Sequence, residues 1–263
     1  MKIAFLMERG NPPRLNPIMA ETFARLGTRG AAVKVIFAEE VLLRLDEFTV
    51  ADDLYLLKSD SEMSLSLANA LETMGGRVMN SVNACMLAKD KVMAAVTMAR
   101  AGIPGPHSIA ASAPAFLSEE VKAGPLIFKP HRGYHGVGIA VADSVATLPE
   151  AEAYPGISFA QKYFADARRD LKICAIGDEI FGIRKEFTPD SYLKAGVPER
   201  LSPEVEDIAR RCGEAFGLEL YGLDIAETET GPRIIDVNYF PGYRGVPDAA
   251  RRLADFIMKS ART

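Results

Sequence analysis

The chain has 263 residues, 48% hydrophobic and 25% charged, enough to bury a sizeable core in one large domain or two to three small lobes. Its formal net charge is −4 with Lys and Arg dispersed, which argues against a nucleic-acid partner. Three isolated cysteines, Cys85, Cys174 and Cys212, argue against a zinc site or a disulfide framework and read as buried thiols of a reducing cytoplasm; no apolar run nears the roughly 20 residues of a membrane helix.

In chain order, Lys2–Met7 reads as a buried strand. Glu8 and Arg9 follow at once, unlike the flanks of a signal peptide. Residues 17–27 carry Ile18, Met19, Phe23 and Leu26 at helical spacing. Strands are expected at 33–38 and 54–57, then a helix over 61–74 stopped by Gly75-Gly76. This alternation predicts a parallel sheet covered on both faces, in a first lobe spanning residues 1–85. Glu8-Arg9-Gly10-Asn11-Pro12-Pro13 stands where a dinucleotide site would need GxGxxG, so no such site is expected.

A helix is expected over 88–101, ended by Gly102-Ile103-Pro104-Gly105-Pro106. Strands at 125–129 and 137–142 flank a glycine-rich turn and suggest a small strand-rich lobe. Further strands are expected at 157–164, 171–176 and 179–183, then a mobile loop over 186–200. Pro203–Phe216 reads as an amphipathic helix, 221–226 and 233–237 as a hairpin, and 247–259 as the closing helix.

Two segments carry chemistry. The first runs Lys129-Pro130-His131-Arg132-Gly133-Tyr134-His135-Gly136-Val137-Gly138. Glycines let successive backbone N–H groups close around phosphate oxygens, and Lys129 can add a point charge. A tight hairpin with a basic tip fits the same residues. His131 and His135 lie four apart, but a glycine loop fixes no metal geometry.

The second segment pairs Asp224 with Asp236-Val237-Asn238. On a strand, positions i and i+2 share a face, so Asp236 and Asn238 present two oxygens side by side. If the strands pair, Asp224 joins them. Hard oxygen ligands suit Mg²⁺ beside phosphates; carboxylates at a solvent-facing strand end are the plainer alternative. The loop Tyr239-Phe240-Pro241-Gly242-Tyr243-Arg244 follows, and Arg244 can reach a carboxylate or phosphate.

Taken in order, these pieces resemble the ATP-grasp superfamily, the RimK-type carboxylate–amine ligases first and the inositol-phosphate kinases of the same fold second. The resemblance implies an α/β ATP-grasp fold in three parts: an N-terminal parallel-sheet lobe (1–85), a small central strand-rich lobe (86–160) and a C-terminal α+β lobe (161–263). It implies ATP held by Lys91, by Lys129 with Gly133, Gly136 and Gly138, and by an adenine hinge at Gln161, Lys162 and Tyr163. Asp224, Asp236 and Asn238 would hold Mg²⁺, with Mn²⁺ as the alternative. Lys172, Arg184 and Arg244 would line the phosphate and substrate side as catalytic residues. Tyr134 stands where the family's loop usually has Ser, and Asp236 where many RimK-type ligases have Glu.

The implied reaction activates a small-molecule or peptide carboxylate as an acyl phosphate, joins it to an amine, and releases ADP and phosphate. A homodimer and a cytoplasmic location are family expectations. Two other readings share the ATP site. One is a small-molecule kinase whose acceptor pocket draws on Arg168, Arg169, Lys172, Arg184, Lys185, Lys194, Arg200 and Arg244. The other is a nucleotide-binding module without turnover.

Overall fold

The computed structural model describes residues 1–9, 15–133, 137–165, 170–185 and 195–262. Its first sheet is parallel, in the order β2-β1-β3-β4: β1 (Lys2–Met7), β2 (Ala32–Phe37), β3 (Leu54–Lys58) and β4 (Val78–Met79). Helix α1 (Pro17–Thr28) starts at Asn16, whose side chain accepts from Ile18 N–H; α2 (Glu62–Thr73) starts at Ser61, which accepts from Ser64 N–H. Ile3, Phe5, Leu54 and Leu56 bury one face of the sheet, and Ala4, Leu6, Tyr55 and Leu57 the other. Burial on both faces explains the continuous apolar runs in the sequence.

Helix α3 (Val82–Lys89) joins two cores: Val82 and Cys85 pack on the first sheet, Ala84 and Ala88 on the C-terminal one. Residue 85 therefore lies inside a shared helix. The helix expected over 88–101, with Asp90 and Lys91 at its start, begins at Lys91, and residues 88 and 89 end α3. Asp90 is extended (φ −88°, ψ 109°), and its carboxylate accepts from Val92 and Met93 N–H at 3.1 and 3.2 Å, starting α4 (Lys91–Arg100) afresh. The break leaves Lys91 N–H free to donate to His131 O at 2.9 Å, which ties α4 to the glycine-rich turn.

The small central sheet is antiparallel, in the order β5-β8-β6-β7: β5 (Ser108–Ala111), β6 (Leu126–Pro130), β7 (Ala140–Ala142) and β8 (Ser158–Lys162). Short helix α5 (Ser118–Ala123) covers one face through Val121, against Leu126, Phe128, Ala142 and Ala160. β7 is shorter than the expected 137–142, because Gly138 (φ 73°) turns the chain before it.

The third sheet is antiparallel, in the order β11-β10-β9-β12-β13: β9 (Asp170–Ile176), β10 (Glu179–Lys185), β11 (Val197–Glu199), β12 (Leu220–Thr228) and β13 (Gly231–Tyr239). Strand β11 occupies part of the expected 186–200 loop; residues 186–194 lie outside the described ones. Helix α6 (Pro203–Phe216) packs on Leu171, Ile173, Ala175, Leu223 and Ile225. Helix α7 (Ala249–Ser260) packs against α1, so Leu253 and Ile257 share a core with Phe5, Leu56, Cys174 and Ile183. All three cysteines are buried. Among the described residues, no helix is long and apolar enough to cross a membrane.

One buried side chain also sews the first lobe to the last. Asn80, 2% exposed, accepts from Glu219 and Leu220 N–H at 2.8 and 2.9 Å and donates to Leu220 O at 2.8 Å. Asn80→Ala strands those backbone groups and is expected to cost about 2–4 kcal/mol in equilibrium urea unfolding. A loss under about 0.5 kcal/mol would mean the three bonds do not join the lobes.

Candidate active site

The site starts from the β12–β13 register. Asp224 lies directly opposite Asp236, and the pairing shifts by one residue immediately after Asp224. Ile225 then faces Ile234, so Ile235 is the extra residue of a β-bulge. The bulge lets Ile234 and Val237, three apart, both enter the core beneath α6. Ile235 O accepts from Lys129 Nζ at 3.0 Å.

Three lysines from separate elements meet this hairpin. Lys91, first residue of α4, donates to Asp236 Oδ1 at 3.0 Å. Lys172, the cross-strand partner of Asp224 on β9, donates to Asp224 Oδ1 at 3.0 Å. Lys129, buried on β6, also donates to Gln161 Oε1 at 2.8 Å. Asn238 Nδ2 lies 3.5 Å from Asp236 Oδ2, as expected for positions i and i+2 on one face. Three ammonium groups thus face two carboxylates, and the excess positive charge suits an anionic ligand.

The environment treats the lysines differently. Burial pulls the Lys129 pKa below its ordinary value, opposed by Asp236 and reinforced by Lys91. Burial works against Lys172 as well, but Asp224 outweighs it and holds that ammonium above its usual range. Cys174 lies on the Lys172 face at 1% exposure, its thiol pushed up to about 11 mainly by burial, so it offers no nucleophile at neutral pH.

Gly133 and Gly138 both lie against Pro130. A Cβ on Gly133 would lie 2.9 Å from Pro130 Cβ, and one on Gly138 2.8 Å from Pro130 Cγ. Tyr154 OH donates to Gly138 O at 2.6 Å, and Lys91 Nζ reaches Gly133 O at 3.5 Å. Tyr134, His135 and Gly136 lie outside the described residues.

Within the expected hinge, the part of Gln161 needs correction. Gln161 is buried, spanning Lys129 and Ser108 Oγ (3.1 Å), so its side chain props Lys129. Lys162 N–H donates to His107 O and Tyr163 N–H to Pro125 O, both at 2.9 Å, which fixes the backbone at the end of β8. The register also places Ile127 and Val141 on the Lys129 and Gln161 face. Val141 is 45% exposed there, an open apolar wall suited to a flat ring. Alternation along β6 and β7 carries that signal in the sequence.

Arg184 also needs correction. It pairs with Leu171, whereas Ile183 pairs with Lys172 and Lys185 with Asp170. Arg184 therefore lies on the α6 side of the sheet, bound to Glu199 and Glu227, behind the Lys172–Asp224 pair. Lys185 shares the Lys172 face. Its pKa is lowered first by burial and then by Lys172, with Asp224 opposing and Arg244 adding to the depression. In the sequence Lys185 stands out only among the basic residues of the kinase reading.

Arg244 sits on the loop between β13 and α7, near enough to Lys58 and Lys185 to depress both. Phe240 (φ 39°) and Tyr243 (φ 54°) hold left-handed backbone there, at a cost of about 1–2 kcal/mol each.

Face assignment gives a direct contrast. With Mg-ATP, Lys185→Ala is expected to slow ADP formation at least about tenfold, and Arg184→Ala by less than about threefold. The reverse order would refute the register.

Comparisons with known proteins agree with this architecture. Residues 190–259 match the family model of the inositol 1,3,4-trisphosphate 5/6-kinase ATP-grasp domain. A probable α-L-glutamate ligase of Picosynechococcus sp. is 26% identical over 216 residues, 74% of this chain and 72% of that protein. A RimK-domain ATP-grasp protein from Sphaerobacter thermophilus superposes with a TM-score of 0.75 at 18% identity, covering 98% of this chain and 100% of that one. D-alanine–D-alanine ligase of Bacillus anthracis gives 0.70 at 17% identity, covering 100% and 97%. The same fold thus runs across the whole chain: this protein has the ATP-grasp fold, and in sequence it is similar to probable α-L-glutamate ligases.

Proposed function

We propose that the protein is an ADP-forming ligase that joins a carboxylate to an amine at the cleft between the central and C-terminal sheets. The observation that carries this reading is the convergence of Lys91, Lys129 and Lys172 on Asp224, Asp236 and Asn238. Lys91 and Lys129, with the turn at Gly133 and Gly138, bind the ATP phosphates, while Ile127 and Val141 pack the base. Asp224, Asp236 and Asn238 suit Mg²⁺. Among the described residues, no three His, Cys, Asp or Glu side chains gather, so an all-protein cage is not offered. Two carboxylates and an amide leave the other positions to phosphate and water, as Mg²⁺ prefers. The ion would neutralise charge on the β,γ-phosphates.

Lys172, Lys185 and Arg244 hold the acid and the transferring phosphoryl group. A carboxylate oxygen attacks the γ-phosphorus, the bond to the β-phosphate oxygen breaks, and ADP leaves. The amine nitrogen then attacks the acyl carbon, phosphate departs with the bonding pair, and the nitrogen loses a proton. Positioning and charge neutralisation supply the rate, and no protein nucleophile is needed. The relatives named as α-L-glutamate and D-alanine ligases support amino-acid or peptide substrates. Lobes at 1–85, 86–160 and 161–263 describe the same working parts, and buried free thiols fit the cytoplasm.

A kinase on the same site is the second reading, favoured by the family match over 190–259. Hydroxylamine separates the two. Protein, Mg-ATP, hydroxylamine and a panel of amino acids and di- and tricarboxylates are incubated, and the products weighed by mass spectrometry. A hydroxamate formed with ADP is the expected result. A phosphorylated product without hydroxamate would establish the kinase instead.

A further inference from the structure

The loop that follows the Asp236-x-Asn238 strand is shaped from the opposite lobe. At the end of β3, Lys58 Nζ donates to Phe240 O at 2.9 Å and to Pro241 O at 3.1 Å, and lies 4.7 Å from the Phe240 ring centroid. Asn16 Nδ2, at the start of α1, donates to Gly242 O at 3.0 Å. Tyr239 OH donates to Ser59 O at 2.9 Å. From the C-terminal sheet, Phe240 N–H donates to Leu220 O and Tyr243 OH to Ala175 O.

Core packing alone does not call for a lysine at this place. An apolar side chain would fill the space without desolvating a charge. Lysine supplies two things that it could not. Its donors meet the carbonyls that the left-handed turn at Phe240 directs inward. Its charge lies close enough to Arg244 for the two to repel, which discourages the guanidinium from folding back into the first lobe. Burial and Arg244 together bring the Lys58 pKa down to about 8.

We propose that Lys58 is a positioning residue of the ligase site: by fixing the carbonyls of Phe240 and Pro241 it sets where Arg244 meets the acid substrate. The proposal rests on the ligase reading. It gives the first lobe a part in acid binding without direct contact, through three tethers to one strained loop.

The test uses the full chain and whichever acid of the hydroxylamine panel gives the hydroxamate. Lys58→Met keeps the packing and removes the donors; it is expected to raise the KM for that acid about tenfold, with kcat within about threefold and AMP-PNP affinity unchanged. In an Arg244→Ala background, the same substitution should add less than about twofold. Asn16→Asp keeps the helix cap but loses the donor to Gly242, and should raise the same KM less steeply. If Lys58→Met does not fold, as read by its melting transition, Asn16→Asp and its cycle with Arg244→Ala decide. An unchanged acid KM in the folded variants, or full additivity with Arg244→Ala, would overturn the proposal. If no acid gives a hydroxamate, the ligase reading has failed. The Lys58 claim is then read from Mg-ATP-dependent ADP release, where lack of effect, or additivity with Arg244→Ala, still overturns it.

Discussion

Asp224 and Asp236 face each other across a strand pair, where like charges are destabilising. Their placement requires cations, and the fold brings them from outside the hairpin. Lys172 arrives from the neighbouring strand and Lys91 from the first position of a helix. Lys129 then adds a third charge, from a different sheet, to a place where two would balance. A cluster of this kind is stable enough to form yet remains open to exchange. An incoming cation can replace the lysines at the aspartates, and incoming phosphates can take up the lysines.

The rest of the architecture serves that cluster. The first and third sheets share one core through α1 and α7, with Asn80 pinning β4 to β12. They form the fixed wall against which the hairpin and the loop at Arg244 are held. The small central sheet has its own core under α5 and brings Lys129, Gln161 and the open face of Val141. It meets the C-terminal sheet at a polar point, Lys129 to Ile235 O. A wall with few apolar ties is suited to a cleft that must admit and release a nucleotide.

Much of this was legible in the sequence wherever a local rule decides the outcome. Helix α6 was bounded correctly because Ser202, Pro203 and Gly217 mark its ends. Asp236 and Asn238 share a face because strands have period two. Phase was harder. Periodicity separates Arg184 from Lys185 but does not say which of them faces the cleft; the partner strand settles that, and one residue flips the answer. Asp90 and Lys91 read as the start of the expected helix, but α3 before them went unseen, because a short helix buried against two cores carries no single apolar stripe. Strand β11 is three residues with a proline, acceptable only at an edge, and read as loop. The part of Lys58 was invisible, since its partners lie about 180 residues away.

The most direct test of the charge balance at Asp224 and Asp236 is calorimetric titration of ADP with and without MgCl₂, for the wild type and Asp236→Asn. Mg²⁺ is expected to tighten ADP binding by at least about tenfold in the wild type and to have little effect in the variant. ADP affinity indifferent to Mg²⁺ in the wild type, or an equal Mg²⁺ gain in Asp236→Asn, would show that the carboxylates do not hold the cation.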